Sequence, residues 1–167
     1  MKKVASLKRI AELSKKTKSN KKTVGLILGS FDILHMGHIH LFQFAKKNVD
    51  LLIVGLDNDQ TIKNTKGEPR PINSYKRRSN FLSELSSVDY IFQITKVFKH
   101  GDNTSFTFLE NMVRKINPTH ILTSINCDGL WKEKRNFAKK LGIKFIPDKS
   151  KTVTHSSEIL KKIEANL

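Results

Sequence analysis

Short uninterrupted apolar runs recur along this chain, separated by longer stretches in which apolar residues return every three or four positions. Residues 24–28, 50–56, 90–95, 120–123 and 144–146 are the apolar runs. They read as buried strands, because a parallel strand covered on both faces shows a continuous apolar run where a half-exposed one alternates. Helical spacing appears over residues 3–17 (Val4, Leu7, Ile10, Ala11) and from Ile39 to about Asn48. It returns over 105–116 (Leu109, Met112, Val113, Ile116) and 131–141 (Phe137, Ala138, Leu141). Asn73 or Ser74 caps a helix that places Arg78, Phe81, Leu82 and Leu85 on one face. Ser156 or Ser157 opens a last helix with Ile159, Leu160 and Ile163 inward. Asp57-Asn58-Asp59 begins a helix or a loop, and residues 63–71 read as a polar loop, a lid or a plain connector. Strands and helices alternate five times, which predicts an α/β fold with a five-stranded parallel sheet and helices on both faces.

The stretch between the first strand and its helix changes this from a fold to a site. It reads Gly29-Ser30-Phe31-Asp32-Ile33-Leu34-His35-Met36-Gly37-His38. Gly29 suits a tight turn. The turn then delivers two imidazoles, three residues apart, to the mouth of a helix. Unpaired N–H groups and a partial positive charge make a helix N-terminus attract anions, and histidines beside it can donate to phosphate oxygens. A polyphosphate fits such a place. Zinc would need further ligands, and only Asp32 is a close carboxylate while Cys127 is the single cysteine, so no metal site is read here.

Charge sharpens the choice of partner. Thirty-one Lys and Arg against 15 Asp and Glu give a formal net charge of +16 over 167 residues, which favours anionic partners. No tandem basic-aromatic pattern points to nucleic acid. No apolar run approaches the roughly 18 residues of a membrane span, and the N-terminus lacks an apolar stretch suited to a secretory signal. A lone cysteine excludes an intramolecular disulfide and suits a reducing cytoplasm. Residues 1–22 are expected to form an N-terminal helix with a basic connector, and residues 23–167 one catalytic domain.

The ten-residue stretch resembles the G-x-F-D-x-x-H-x-G-H signature of the cytidylyltransferase-like nucleotidyltransferases, with Gly29, Phe31, Asp32, His35, Gly37 and His38 all in place. Ala45-Lys46, the run Val54 to Asp59, Gly67 to Asn73, Arg78 and Ser87-Val88-Asp89-Tyr90 are similar to further segments of that family. The Lys3-Val4-x-Ser6-Leu7 lead-in is most like the heptose 1-phosphate adenylyltransferase branch. Two departures stand out. Thr123 to Asp128 lacks the glycines and lysine of the corresponding family segment, and Thr152 to Ser157 has Val153 and His155 where the family has Gly and Ser.

The resemblance implies a single Rossmann-like domain that transfers a nucleotidyl group, AMP from ATP, to a sugar phosphate such as heptose 1-phosphate and releases pyrophosphate. The attacking phosphate oxygen is already anionic, so alignment and charge stabilisation suffice without a general base. It assigns catalysis to His35, His38 and Lys46, and nucleotide binding to Gly29, Ser30, Phe31, Asp32, Gly37, Asp128, Ser156 and Ser157. Substrate contact falls to Asp59 and Arg78, Mg2+ accompanies ATP or CTP, and a homodimer is expected. The alternatives are a CTP-dependent glycerol- or alditol-phosphate cytidylyltransferase, a degenerate nucleotide binder, and a basic nucleic-acid-binding protein.

Overall fold

The strand Val24–Gly29 (β1) is buried from Val24 to Leu28 and sits in the middle of everything that follows. It pairs in parallel with Leu51–Asp57 (β2) on one side and His120–Ser124 (β4) on the other. Tyr90–Ile94 (β3) lies beyond β2, and Lys144–Asp148 (β5) beyond β4. The sheet order is therefore β3-β2-β1-β4-β5. The molecule is described by a computed structural model over residues 3–99, 104–151, 159–160, 162–163 and 165.

Alternate residues of β1 serve opposite faces, as the pleat requires. Val24, Leu26 and Leu28 pack with Ile10, Met112, Val113, Ile116 and Ala138. Those residues come from Leu7–Ser19 (α1), Thr104–Ile116 (α5) and Trp131–Lys140 (α6). Ile27 faces the other way, onto Leu41, Phe42, Ala45 and Leu82, from Met36–Asn48 (α2) and Tyr75–Ser83 (α4). Each such fully buried aliphatic or aromatic side chain contributes about 1.5–3 kcal/mol, so both faces are firmly closed. Asp59–Lys66 forms α3.

The chain leaves β1 toward β2 and β3, then returns past β1 to β4 and β5. This reversal opens a crevice at the carboxyl ends of β1 and β4, where ligands of such sheets bind. Among the described residues no helix is long and apolar enough to cross a membrane.

Local details differ from the sequence pattern where polar groups decide. Val4 lies outside α1 and bridges to Ile91, so the N-terminal segment extends the β3 edge before the helix starts at Leu7. Residues 63–66 are helical, because α3 is held by its cap rather than by an apolar stripe. Asn58 Oδ1 accepts from the Thr61 amide at 2.8 Å, while its Nδ2 donates to the carbonyls of Ile94 (2.9 Å) and Lys96 (2.8 Å). That one side chain fixes α3 to the end of β3. Ile163 is 53% exposed, although the pattern predicts it inward, and Phe81 is 49% exposed while Arg78 and Leu82 of the same predicted face are buried.

Candidate active site

The loop from β1 into α2 turns at Phe31, which adopts a left-handed φ of 46°. That conformation costs a side-chain-bearing residue about 1–2 kcal/mol, and packing holds it. The Phe31 ring lies 4.9 Å from Phe42 and meets the His38 ring edge-on at 5.0 Å. Gly29 does not supply the left-handed turn. It makes room, since a Cβ there would come 3.0 Å from the Phe31 ring. Gly29 and Phe31 therefore shape the loop from behind.

His35 stands at the N-cap of α2 in extended conformation, without a side-chain cap bond. Its carbonyl accepts from the His38 amide at 2.9 Å, and the two imidazoles stack at 3.8 Å with 27° between planes. Gly37 is the second residue of the helix. The first turn contains no acidic residue, so the positive end of the helix keeps its attraction for an anion.

Asp32 is buried, and its carboxylate is fully engaged. Oδ1 accepts from the Asn73 amide (2.7 Å), Oδ2 from the Ile72 amide (3.0 Å), and the Arg70 guanidinium pairs with Oδ2 at 2.6 Å. Asp32 thus clamps the signature loop to residues 70–73 rather than reaching a nucleotide. Arg78 is completely buried and braces four segments at once. Its Nη1 donates to the Ser30 carbonyl (2.6 Å), Nη2 to the Asp57 carbonyl (2.7 Å) and Asp59 Oδ1 (2.8 Å), and Nε to the Asn73 carbonyl (3.0 Å). An enclosed guanidinium is not open to substrate, so the contact expected of Arg78 is corrected to an internal brace, and Asp59 is its ion-pair partner.

Lys46 is corrected as well. It lies eight residues, about 12 Å of helix rise, beyond His38. Its ammonium binds Asp89 Oδ2 (2.6 Å) and the Asp50 carbonyl (2.7 Å), beside the amino end of β2. Among the described residues, Lys66 and Lys134 reach the crevice. Lys66, the last residue of α3, donates to Ser30 Oγ at 2.8 Å. Lys134 of α6 donates to the Leu28 carbonyl (3.0 Å) and Asp128 Oδ2 (2.6 Å). In so lysine-rich a chain neither is marked by spacing, and only the contact with the loop singles them out.

Asp128 also accepts from Thr123 Oγ1 (2.5 Å) and from the Leu130 amide (3.0 Å). Burial would raise its carboxyl, but the Lys134 ammonium and these hydrogen bonds outweigh it and hold the pKa below the ordinary value. Lys66 is pushed down by partial desolvation and by the Arg70 guanidinium, against the pull of Asp57 and Asp32. Asp57, closing β2, is pushed up. Burial dominates over the facing Lys134, Arg78 and Lys66, and Asp128 adds to the rise. Ser156 and Ser157 lie outside the described residues.

The Asp57 shift carries a testable consequence. The folded chain holds that proton more tightly than the unfolded chain, so ionised Asp57 costs stability above the ordinary carboxylate range and nothing below it. Asp57→Asn is expected to raise Tm at pH 7, with the gain disappearing by about pH 4. Melting curves of both proteins across that range check the expectation; a gain that does not vary with pH contradicts it.

Residues 26–162 match the model of the cytidylyltransferase-like family. The chain belongs to that family. The family places it among the nucleotidyltransferases. It is 30% identical over 164 residues to the bifunctional protein HldE of Aliarcobacter butzleri (strain RM4018), which covers 98% of this chain and 31% of that relative. Over 72 residues it is 51% identical to the HldE protein of Helicobacter acinonychis (strain Sheeba), covering 43% of this chain and 16% of the relative. The chain thus spans a third or less of the curated relatives it matches. Among solved structures it is similar to a lipopolysaccharide core biosynthesis protein from Thermoplasma volcanium GSS1, with 28% identity and a TM-score of 0.59. That match covers 78% of this chain and 99% of the other. The pantoate-beta-alanine ligase of Francisella tularensis shares the fold, with a TM-score of 0.67 at 16% identity, over 97% of this chain and 77% of the other.

Proposed function

We propose that this cytidylyltransferase-like protein transfers AMP from ATP to a sugar 1-phosphate of the heptose 1-phosphate type and releases pyrophosphate. The observation that carries the reading is the stacked His35–His38 pair on the N-terminus of α2, set at the crevice and flanked by Lys66 and Lys134. The similarity of the whole chain to HldE proteins supports the sugar-phosphate branch.

In this reading the triphosphate lies over the first turn of α2. A phosphate oxygen of the sugar phosphate attacks the α-phosphorus, a new P–O bond forms, and the bond to the β-phosphate oxygen breaks with pyrophosphate as leaving group. No proton need move, because nucleophile and leaving group are both anionic. His35 and His38 donate to the non-bridging oxygens where charge builds up, and Lys66 and Lys134 offset charge on either side. Mg2+ would enter on the triphosphate, held by phosphate oxygens and water, and would screen its charge.

The test is pyrophosphate release with ATP, CTP, GTP and UTP, each crossed with heptose 1-phosphate, glycerol 3-phosphate and related sugar phosphates. Turnover with ATP and a sugar 1-phosphate is the expected result. Turnover with CTP and an alditol phosphate moves the protein to the cytidylyltransferase side, and triphosphate binding without turnover overturns the catalytic reading.

The two lysines that exchange roles give a sharper comparison. Lys66→Ala is expected to lower kcat/KM about ten- to a hundredfold, while Lys46→Ala leaves kcat near the parent value and lowers Tm. Because the Lys66 pKa is depressed, parent activity falls on the alkaline side below 10.5, and Lys66→Ala lacks that limb. Equal kinetic losses in the two variants contradict the assignment.

A further inference from the structure

An open trough of about 820 Å³ runs along the outer face of α1 against the last turn of α5. It lies away from the crevice, because α5 ends where the chain enters the amino end of β4. The Asn117 carbonyl accepts from Ser14 Oγ at 3.3 Å and joins the two helices there. The apolar part of the lining is the half-buried Leu7 and Ala11, with Ile116 already buried in the core. The rest of the lining holds five cationic side chains and one carboxylate, Glu12. Glu12 is already paired with Arg9, and Arg114 with Glu110, so the other four cations, all lysines, set the charge of the trough.

The helix dipole explains only part of this charge. Lys18 and Lys115 sit in last turns, where a cation offsets the carbonyl end of a helix. Lys8 sits in the first turn of α1, where a cation is unfavourable, and Lys15 sits mid-helix, where the dipole gives it nothing. Among the described residues no aromatic side chain lines the trough, so these residues offer no stacking platform for single-stranded bases. A phosphate backbone would leave the apolar floor unused. At +16, a second copy of this chain matches the lysine-rimmed trough less well than an acidic partner does.

We propose that this trough docks an acidic amphipathic helix of a partner protein. An apolar stripe at i, i+3, i+4 and i+7 would cover the half-buried Leu7 and Ala11, and glutamates or aspartates beside it would meet the lysine rims. Leu7 to Lys18 spans about 17 Å of helix rise, so three turns of the partner are engaged.

Fluorescence anisotropy with the full chain tests this. The probe is a labelled, Glu-rich helical peptide with leucines at that spacing. The controls are a peptide of identical composition with the leucines scattered, and a duplex RNA of similar charge. The patterned peptide is expected to bind about tenfold more tightly than the scattered one. The double variant Lys15→Glu with Lys115→Glu, and separately Ala11→Asp, should each weaken it about tenfold while nucleotidyl transfer and circular dichroism stay unchanged. Equal affinity for the two peptides overturns the proposal without any variant. So does RNA binding that is tighter and lost in the same variants, or patterned-peptide binding that survives both substitutions.

Discussion

Replacing His38 or His35 with alanine lowers kcat about a hundred- to a thousandfold, with a smaller change in KM for ATP. The expectation follows from where the rings stand. Both lie at the mouth of α2, stacked at 3.8 Å, and His38 is also held edge-on by Phe31. Rings so fixed need not reorganise if charge builds on an α-phosphate bound there, so on the proposed function their contribution should be larger in the transition state than in the bound triphosphate. The loss should appear in single-turnover rates, and circular dichroism should match the parent. Comparable losses in kcat and folding would mean that the histidines only pack the loop. Loss of affinity alone, with kcat kept, would mean that they bind ground-state phosphate and nothing more.

Arg78→Ala should damage the protein more widely. Its guanidinium is completely buried and answers the carbonyls of Ser30, Asp57 and Asn73 together with Asp59. Removing it strands three carbonyls and frees the signature loop, the end of β2 and the segment after α3 from one another. A cost of about 3–5 kcal/mol is expected, a large part of the roughly 5–15 kcal/mol that stabilises a domain. Activity should fall with stability in Arg78→Ala. Arg78→Lys should rescue neither, because one ammonium cannot reproduce a fork aimed at four acceptors. Denaturant titration gives the first quantity and initial rates the second. A folded, stable Arg78→Ala chain with raised KM for the sugar phosphate alone would return Arg78 to substrate contact.

The strands were readable because burial on both faces leaves an unbroken apolar signature. Residues 24–28 lie one residue short of β1, and residues 50–56 one residue off β2. The pattern leaves the polar helix α3 open between helix and loop at its start and reads loop from residue 63, since Ile62 is its single buried aliphatic and its stability comes from Asn58 reaching across to Ile94 and Lys96. The same limit governs the site. His35 and His38 were legible because a fixed spacing after a strand is local information. Lys66 and Lys134 were hidden among 31 basic residues, and Lys46 stood out only through sequence neighbours that belong to the far end of α2. Arg78 was visible as a position but not as a buried one, because enclosure depends on four segments that only the fold brings together. The sequence reads Gly29 as the residue that closes the tight turn, whereas the left-handed φ falls on Phe31, whose ring needs the space a Cβ would take.

The central claim is that this crevice joins an adenylyl group to a sugar phosphate through the His35–His38 pair. Phosphorus NMR of a mixture of the protein, ATP, Mg2+ and heptose 1-phosphate tests it most directly. The account predicts that the α-phosphorus of ATP enters a nucleoside diphosphate sugar in equal amount with free pyrophosphate, and that His38→Ala makes neither. Phosphate release without that product, or the same product at the parent rate from His38→Ala, would contradict it.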